Sequence, residues 1–368
     1  MTTELFTGAQ MVVKSLAALK VKYIFGYPGG SVLDIYDAIF QQQEVEHILV
    51  RHEQAATHMA DGYTRATGEV GVVLATSGPG ATNCVTGIAT AYMDSIPMVV
   101  LAGQVPTHLI GDDAFQETDI VGCSRPIVKH SFSCRDLAEL PNTFAKAFHI
   151  ANSGRPGPVV IELPKDLQQQ TAEFNINLDV DMRSYKPTGK GHPKQITKAV
   201  ETIAQAKKLV IYSGGGIVIA DAEKQLKALV EKLNAPITNT LMGLGGISGL
   251  HKNFLGMLGM HGSLEANKAM ANADVILALG ARFDDRVTNN VKKFCPDATI
   301  IHVDVDPTSI SKTIAAHVPV VGLVDLVIEQ LLEELDVQKV TLDQEALAAW
   351  WEEIDAWRAV KSISYSED

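Results

Sequence analysis

Hydrophobic positions in the first hundred residues of this chain fall into short runs separated by longer stretches of helical character. The runs lie at 23–25, 47–50, 71–75 and 98–102. Within each run the apolar residues are nearly continuous and do not alternate with polar ones, which is typical of strands buried on both faces of a parallel sheet. The pattern therefore predicts alternating strands and helices, with helices covering both faces of the sheet.

Other local signals extend this first unit. Thr7 and Gln10 have the spacing of a capping box and predict the start of a helix. A later helix at 137–151 and a strand at 158–163 complete the unit. From Gln168 to Pro193 the sequence becomes polar and irregular, as expected of an exposed connection between domains.

Alternation of strands and helices resumes beyond this connection. Helices are predicted at 194–206 and 221–233, and strands at 209–212, 275–279 and 300–303. We therefore expect an α/β protein with two doubly wound parallel-sheet domains. The expected boundaries are 1–170 for the first domain, 171–193 for the linker, 194–335 for the second domain and 336–368 for a helical tail.

Composition narrows the class of protein. The formal net charge of −12 disfavours nucleic acid as a partner, because duplex binding needs a clustered basic surface. The 4 cysteines include no Cys-x-x-Cys pair and indicate a reducing compartment. No apolar run approaches the roughly 20 residues that span a bilayer, and residues 1–19 lack the pattern of a signal peptide. We expect a cytoplasmic protein with no membrane partner.

Candidate chemistry lies directly after the predicted strands, because parallel sheets bind ligands beyond the carboxyl ends of their strands. In the first domain these turns are rich in glycine, and Glu53 is the only carboxylate among them. Flanked by apolar strand ends, Glu53 should be poorly solvated and suited to sharing a proton with a ligand. The alternative is a carboxylate that only stabilises the N-terminus of a helix.

Several familiar motifs are excluded by spacing. His52 and His58 are six residues apart, whereas a zinc-protease helix needs the second histidine where Ala56 stands, so we expect no metal site. The turn at 77–80 lacks the Gly-Lys-Ser/Thr ending of a P-loop. After the triple glycine at 214–216, Ile219 occupies the place of the last glycine of a dinucleotide fingerprint, which argues against a nicotinamide dehydrogenase.

The second domain carries a different set of groups after its strands. Arg282 and Arg286, together with Arg155 from the first domain, offer phosphate donors, and Asp304 could accept a ribose hydroxyl. Close backbone approach is possible at Gly214, Gly215 and Gly216. These residues predict a nucleotide cofactor bound outside the usual fingerprint, with a surface ion-pair cluster as the alternative.

At these positions the sequence resembles the acetolactate synthase (acetohydroxyacid synthase) family of thiamine-diphosphate enzymes. The resemblance covers the chain from end to end and rests on the segments 26–30, 51–56, 76–83, 113–117, 154–158, 163–166, 257–262 and 280–286. It implies a pyrimidine-binding domain followed by a central FAD-binding domain. It also implies a third domain that holds the diphosphate through magnesium, whose Gly-Asp-Gly…Asn motif does not occur in this sequence. We therefore expect that domain to be absent and the 368-residue chain alone to be inactive.

The resemblance assigns roles to individual residues. Glu53 is implied to hydrogen-bond the aminopyrimidine ring and promote its imino tautomer, after which pyruvate loses carbon dioxide and its two-carbon unit passes to a second 2-ketoacid. The product is 2-acetolactate or 2-aceto-2-hydroxybutyrate, in branched-chain amino-acid biosynthesis. The pyrimidine pocket is implied to include Tyr27, Pro28, Thr76, Pro79, Asn83 and Gln116.

Further residues are implied for the substrate and for FAD. Gly30, Ser31, Phe115 and Lys165 should border the substrate channel, and Arg286 should orient the acceptor's carboxylate. The residues implied to join the FAD site are Thr240, Leu241, Leu258, Gly259, Met260, His261, Gly280, Asp284 and Val305. FAD would serve structure and not redox chemistry.

The resemblance also implies a homodimer or tetramer with a regulatory small subunit. Two alternatives remain open at this point: another thiamine-diphosphate enzyme such as a pyruvate oxidase, and a catalytically silent flavin-binding or assembly fragment.

Overall fold

Two six-stranded parallel sheets organise the computed structural model, which describes residues 4–364. One unit of the chain ends at Lys186 and the second begins at Pro187. Among the described residues, no helix is both long and apolar enough to cross a membrane.

The first unit contains eight strands and eight α-helices among its described residues. The strands are β1 (Leu5–Thr7), β2 (Tyr23–Gly26), β3 (Glu46–Leu49), β4 (Gly71–Ala75), β5 (Met98–Gln104), β6 (His130–Ser133), β7 (Pro158–Pro164) and β8 (Thr171–Glu173). The helices are α1 (Gly8–Ala18), α2 (Leu33–Phe40), α3 (Glu53–Thr67), α4 (Pro79–Asn83), α5 (Val85–Asp94), α6 (Ile120–Ser124), α7 (Leu140–Asn152) and α8 (Lys165–Gln169).

The main sheet of this unit has the order β3-β2-β4-β5-β7-β6, and every neighbouring pair is parallel. From β2 the chain first adds β3 on one side and then β4 on the other, so the strand order reverses between β2 and β4. Such a reversal opens a crevice beyond the carboxyl ends of the two strands. β1 and β8 form a separate antiparallel pair.

The buried strands follow from their apolar runs. β4, β5 and β7 are buried at every position, as predicted. Val72 and Leu74 pack into one core with α1 and α7, whereas Val73 and Ala75 pack into the core on the other face with α3 and α5. The predicted capping box is confirmed: the Gln10 N–H donates to Thr7 Oγ1, and the Thr7 N–H donates to Gln10 Oε1.

The second unit contains six strands and seven α-helices among its described residues. The strands are β9 (Leu209–Ser213), β10 (Ile237–Asn239), β11 (Phe254–Met257), β12 (Val275–Leu279), β13 (Thr299–Asp304) and β14 (Val318–Val321). The helices are α9 (Pro193–Ala204), α10 (Gly215–Ile219), α11 (Glu223–Leu233), α12 (Leu264–Asn272), α13 (Asp285–Thr288), α14 (Val324–Val337) and α15 (Gln344–Arg358).

The sheet of the second unit has the order β11-β10-β9-β12-β13-β14 and is parallel throughout. Its strand order reverses between β9 and β12, which are hydrogen-bonded neighbours. Both units are therefore doubly wound parallel sheets, as the alternation of strands and helices predicts. Their two switch points lie after β2 and β4 in the first unit and after β9 and β12 in the second.

The helix predicted in the tail packs on its own unit. Trp350 is fully buried, and its indole N–H donates to the Leu209 carbonyl oxygen over 3.2 Å. On the same helix, Glu353 forms an ion pair with Lys208, with 2.7 Å between Nζ and Oε1. α15 thereby covers one face of the second sheet, next to α12.

Six short strands were not predicted from the sequence, namely β1, β6, β8, β10, β11 and β14. β6 contains His130 and two serines, and β10 ends in Thr238 and Asn239, so neither has a continuous apolar run. β1, β8, β11 and β14 are only three or four residues long. These segments become strands because a neighbouring strand, brought beside them by the fold, supplies their hydrogen-bond partners.

Candidate functional site

The switch point of the first unit places Glu53 beside two glycine-rich loops. Glu53 is the first residue of α3, and the His52 side chain caps this helix by accepting the Gln54 N–H at Nδ1 over 3.1 Å. The flanking loops follow β2 and β4. The helix therefore begins at the crevice and presents its first carboxylate there.

The Glu53 carboxylate is buried, with 7% of the residue exposed, and one of its oxygens is engaged. Oε2 accepts a hydrogen bond from Asn83 Nδ2 over 2.9 Å. Oε1 accepts no hydrogen bond from the part of the chain that the structure describes, and a Cβ added to Gly80 would lie 3.2 Å from it. A side chain at position 80 would crowd this oxygen and the Thr76 side chain, whose Cγ2 would lie 2.7 Å from that Cβ, so glycine at 80 keeps Oε1 from being covered.

The buried Glu53 carboxylate contributes to the raised pKa values of two neighbouring groups, Cys84 and Tyr36. Burial, and to a lesser extent the negative charge of Glu53, raises the pKa of Cys84 to about 12. The same two causes raise the pKa of the Tyr36 hydroxyl, which lies 3.0 Å from His47 Nε2. Both groups remain neutral at physiological pH, so Glu53 faces no competing titration from them.

The two loops at the crevice pack closely against each other. A Cβ on Gly29 would come within 2.5 Å of Thr76 Cγ2. Thr76 Oγ1 accepts the Ser31 N–H over 3.1 Å, and the Ser31 and Ser77 hydroxyls are 2.7 Å apart. The crevice is therefore held together by direct contacts between residues some 45 positions apart in the sequence.

A third loop, between β5 and α6, reaches the same place. Gly78 has a φ of +53°, and a Cβ there would lie 2.5 Å from the Gln116 carbonyl oxygen. Phe115 is 89% exposed beside it. From the segment after β7, Lys165 Nζ donates to the Gly30 carbonyl over 3.0 Å. Most of the residues predicted for the pyrimidine and the substrate lie in loops or short helices at this edge of the sheet, namely Tyr27, Pro28, Gly30, Ser31, Thr76, Pro79, Asn83, Phe115, Gln116 and Lys165. Arg286, also predicted for the substrate, lies in the second unit.

The second unit collects the residues predicted for FAD, with the exception of Arg155, along its own carboxyl edge. They follow five neighbouring strands of the sheet, β11, β10, β9, β12 and β13. A Cβ on Gly214 would lie 2.1 Å from the Gly280 carbonyl oxygen, so the loops after β9 and β12 touch through their backbones. The Met260 N–H donates to the Arg286 carbonyl over 2.9 Å and joins the loop after β11 to the same cluster.

Charged groups at this second edge are mostly open to solvent. Arg282 lies 3.9 Å from Asp284, and Arg286 lies 3.9 Å from Asp285. Behind them, His302 donates from Nε2 to the Ala281 carbonyl over 2.9 Å, and burial lowers its pKa to about 4. The edge therefore offers guanidinium groups at its rim, with the buried His302 and Asp304 side chains behind them, 3.9 Å apart.

The structure places Arg155 in the first unit, where it caps a helix end. Its Nε donates to Ser95 Oγ over 2.8 Å, and Nη2 donates to the Tyr92 carbonyl over 3.4 Å. Both acceptors lie at the C-terminal end of α5, where a cation interacts favourably with the helix dipole.

Some residues at the first crevice were missed from the sequence. Gln168 was expected to open an exposed connection, and this expectation is wrong: only 2% of it is exposed, and its Nε2 donates to the Ser31 carbonyl over 2.8 Å. Asp166 binds Thr107 from the same segment. No local signal distinguishes Gln168 from its polar neighbours, because the partner that ties it to the crevice, Ser31, lies 137 positions away.

Comparison with protein families agrees with this geometry. The N-terminal TPP binding domain of thiamine pyrophosphate enzymes matches residues 6–123, and the central domain of these enzymes matches residues 196–331. The chain therefore belongs to the thiamine pyrophosphate enzyme family.

Within that family the chain is similar to acetolactate synthase large subunits. It is 56% identical over 366 residues to the large subunit of Buchnera aphidicola subsp. Schizaphis graminum, covering 99% of this chain and 64% of that protein. It is 56% identical over 364 residues to the isozyme 3 large subunit of Escherichia coli (strain K12) and 53% identical over 361 residues to the Haemophilus influenzae large subunit. Each of these two matches covers 98% of this chain and 63% of the other protein. The chain thus spans slightly less than two thirds of the length of these relatives.

Proposed function

We propose that this chain supplies the pyrimidine-binding and FAD-binding domains of an acetolactate synthase large subunit. The proposed reaction decarboxylates pyruvate and joins its two-carbon unit to a second 2-ketoacid, giving 2-acetolactate or 2-aceto-2-hydroxybutyrate for branched-chain amino-acid synthesis. The observation that carries the proposal is the buried Glu53 carboxylate at the switch point, with Oε2 held by Asn83 and Oε1 without a hydrogen bond from the described residues.

The residues at this crevice fit the pyrimidine half of thiamine diphosphate. A flat aromatic ring needs close backbone approach, and the loops after β2 and β4 carry Gly29 and Gly80, which place no side chain between their backbone and a ligand. The ring's nitrogens need a proton partner, and Glu53 is the buried carboxylate between these loops. Tyr27, Pro28, Thr76, Pro79 and Gln116 line the proposed pocket.

Thiamine diphosphate, when bound, supplies the electron sink that the decarboxylation requires. Glu53 shares a proton with the pyrimidine ring at Oε1, and Asn83 fixes the orientation of the carboxylate through Oε2. The Lys165 ammonium group attracts the carboxylate of the incoming 2-ketoacid, with Gly30, Ser31 and Phe115 along the same channel. Arg286 is proposed to orient the acceptor's carboxylate.

FAD is proposed for the carboxyl edge of the second unit. Arg282 supplies a planar hydrogen-bond donor for the diphosphate, and Asp304 supplies an acceptor for a ribose hydroxyl. Gly214 and Gly280, which are in contact, provide a backbone surface without side chains. Exposed apolar side chains such as Leu241 and Met260 offer contact area for a ring system. FAD would serve structure, because joining two 2-ketoacids involves no net electron transfer.

Magnesium and partner subunits complete the proposal. We assign no residue of this chain to magnesium, which would accompany the cofactor's diphosphate. The relatives are named large subunits, which supports an assembly of several copies with a small regulatory subunit.

An assay that separates synthase from oxidase tests the proposed function. The complete protein is incubated with thiamine diphosphate, magnesium, FAD and pyruvate in the absence of oxygen. We expect acetolactate to form while the flavin absorbance stays constant. Bleaching of the flavin together with release of acetate or acetyl phosphate would favour an oxidase, and absence of any pyruvate consumption would contradict the proposal.

A further inference from the structure

The loop between β5 and α6, residues 105–118, is irregular along most of its length and yet held at several points. Gly111, Asp113 and Gln116 adopt φ values of +97°, +55° and +58°. Gln116 lies against Gly78 at the crevice, and Phe115 beside it is 89% exposed. A loop with so little apolar burial needs polar contacts to keep one conformation.

The first contact is made by Asp166, at the start of α8. Its Oδ1 accepts the Thr107 N–H over 2.9 Å, and its Oδ2 accepts the Thr107 hydroxyl. Although partial burial acts in the opposite direction, the Thr107 donors and the N–H groups at the start of α8 hold the pKa of Asp166 below its usual value. The carboxylate is therefore ionised and bidentate at neutral pH.

The second contact joins the far end of the loop to the sheet. Gln104 Nε2 donates to the Thr118 carbonyl over 3.0 Å and to Glu162 Oε1 over 2.9 Å. Gln104 and Glu162 are both almost completely buried, and Ser133 donates to the other oxygen of Glu162. Breaking this bridge would leave a buried charge with fewer partners, which is costly.

A third carboxylate folds the loop on itself. Glu117 accepts the N–H of Ala114 over 3.0 Å and also the N–H of Gly111. These backbone hydrogen bonds, the one from Gly111 first, lower the pKa of Glu117. Glu117 thus stabilises the conformation of the loop itself, whereas Asp166 and Glu162 attach the loop to the sheet.

The segment that attaches this loop also holds the loop on the other side of the crevice. Lys165 donates to the Gly30 carbonyl, and Gln168 donates to the Ser31 carbonyl over 2.8 Å. We name residues 162–168 the brace segment. It contacts the loop that carries Phe115 and Gln116 through Asp166, and the loop that carries Gly30 and Ser31 through Lys165 and Gln168.

We propose that Asp166 is a positioning residue: it acts through Thr107 to keep Phe115 and Gln116 aligned with the Glu53 crevice. The brace segment sets the distance between the two loops, because both are bonded to one short, rigid junction of strand and helix. Asp166 itself does not touch cofactor or substrate. This inference rests on the proposed function in one respect, which is that the ligands facing Phe115 and Gln116 are thiamine diphosphate and a 2-ketoacid.

The test compares Asp166→Ala with Asp166→Asn in the complete protein. In the alanine variant we expect amide hydrogen exchange to rise about tenfold over residues 107–117, and chymotrypsin to cleave after Phe115 about tenfold faster. The KM for pyruvate should rise about tenfold, because only a fraction of molecules hold the loop in the competent position, with kcat changed less than about threefold. The asparagine variant should restore all three, since its amide still accepts the Thr107 N–H and donates to the hydroxyl.

Asp112→Ala is the matched control, because Asp112 is an exposed carboxylate of the same loop whose side chain accepts no hydrogen bond among the described residues. It should leave exchange and KM unchanged. If Asp166→Ala does not fold, Thr107→Val removes the hydroxyl alone and should raise exchange at 107–117 by a smaller factor, with Thr107→Ser close to wild type.

The outcomes separate this inference from the proposed function. Unchanged exchange and cleavage in both Asp166→Ala and Thr107→Val overturn the positioning role, even if the protein makes acetolactate. Equal changes in the alanine and asparagine variants overturn it as well. Faster exchange confined to the loop, in a protein that never makes acetolactate, supports attachment of the loop by Asp166 and refutes only the proposed reaction.

Discussion

The two units build a crevice at the same topological position and fill it with opposite chemistry. In each, the strand order reverses between two central strands, and glycines in the following loops let those loops pack closely together. The first crevice buries a carboxylate, Glu53, with a single amide partner. The second leaves Arg282 and Arg286 partly or largely exposed and keeps a neutral histidine, His302, behind them.

Under the proposed function, one architecture serves two kinds of ligand. A carboxylate that shares a proton with a pyrimidine ring gains from burial, because less water competes with the ring for it. A guanidinium that binds a diphosphate keeps its charge whether buried or exposed, so it can stay at the rim and avoid the cost of desolvation.

The largest expected effect is that of Glu53→Gln. Removing the shared proton should slow deprotonation at C2 of bound thiamine diphosphate by about 10²–10⁴-fold, while cofactor binding is kept. Hydrogen–deuterium exchange at C2 measures this rate directly. Glu46→Gln, at an exposed glutamate of β3, is the control and should exchange at the wild-type rate. An unchanged rate in Glu53→Gln would remove Glu53 from this role.

Acid should destabilise the second unit through His302. The pKa of His302 is about 4 in the folded protein and near 6.5 in the unfolded chain, so the unfolded chain takes up a proton first as the pH falls. The free energy of unfolding should therefore be fully kept above pH 6.5 and decrease as the pH falls towards 4. The expected loss is about 3 kcal/mol. All 3 tryptophans lie in this unit, so denaturant titrations followed by tryptophan fluorescence report its unfolding.

His302→Gln is the matched variant for this pH dependence, because glutamine can still donate to the Ala281 carbonyl but does not titrate. Its unfolding free energy should fall less between pH 6.5 and pH 4 than that of the wild type. The same slope in both proteins would show that another group causes the acid sensitivity.

Alanine at the touching glycines should destabilise both crevices, and the second one more. A Cβ on Gly214 meets the Gly280 carbonyl oxygen at 2.1 Å, a backbone atom that cannot move aside, and we expect a cost of about 1–3 kcal/mol. A Cβ on Gly29 meets the Thr76 side chain at 2.5 Å, so Gly29→Ala should lie at the lower end of that range.

Neighbouring glycines provide the controls for these substitutions. A Cβ on Gly30 or on Gly249 meets nothing within 4 Å, and neither residue has a positive φ. The stabilities of Gly30→Ala and Gly249→Ala should therefore stay close to wild type in thermal denaturation. If Gly214→Ala is as stable as Gly249→Ala, backbone contact does not hold the second crevice together.

The smallest expected effect is that of Arg282→Ala on FAD affinity. Losing one charge-assisted donor should raise the dissociation constant about tenfold, measured by calorimetric titration. Lys224→Ala, at an exposed lysine of α11, is the control for the general loss of positive charge. An affinity equal to wild type in Arg282→Ala would contradict diphosphate binding at this edge, and a folded wild-type protein that takes up no FAD would refute the FAD site itself.

Much of the framework was accessible from local sequence. β4 and β12 coincide with their predicted bounds, because a continuous apolar run specifies a strand buried on both faces wherever it lies in the sheet. The capping box at Thr7 is equally local. Glu53 stood out because it is a carboxylate directly after a strand, and the structure finds it buried there.

The sequence by itself therefore determined where the longer buried strands lie and which of the loops that follow them carry glycine, basic groups and Glu53. Only the tertiary structure decided the order of the strands, and with it that Ser31 meets Thr76 and that Asp166 holds Thr107. Local pattern reflects hydrophobic burial, which each segment encodes in its own residues. Hydrogen-bond partners such as that of Gln168 belong to distant segments, so they exist only once the sheet has brought those segments together.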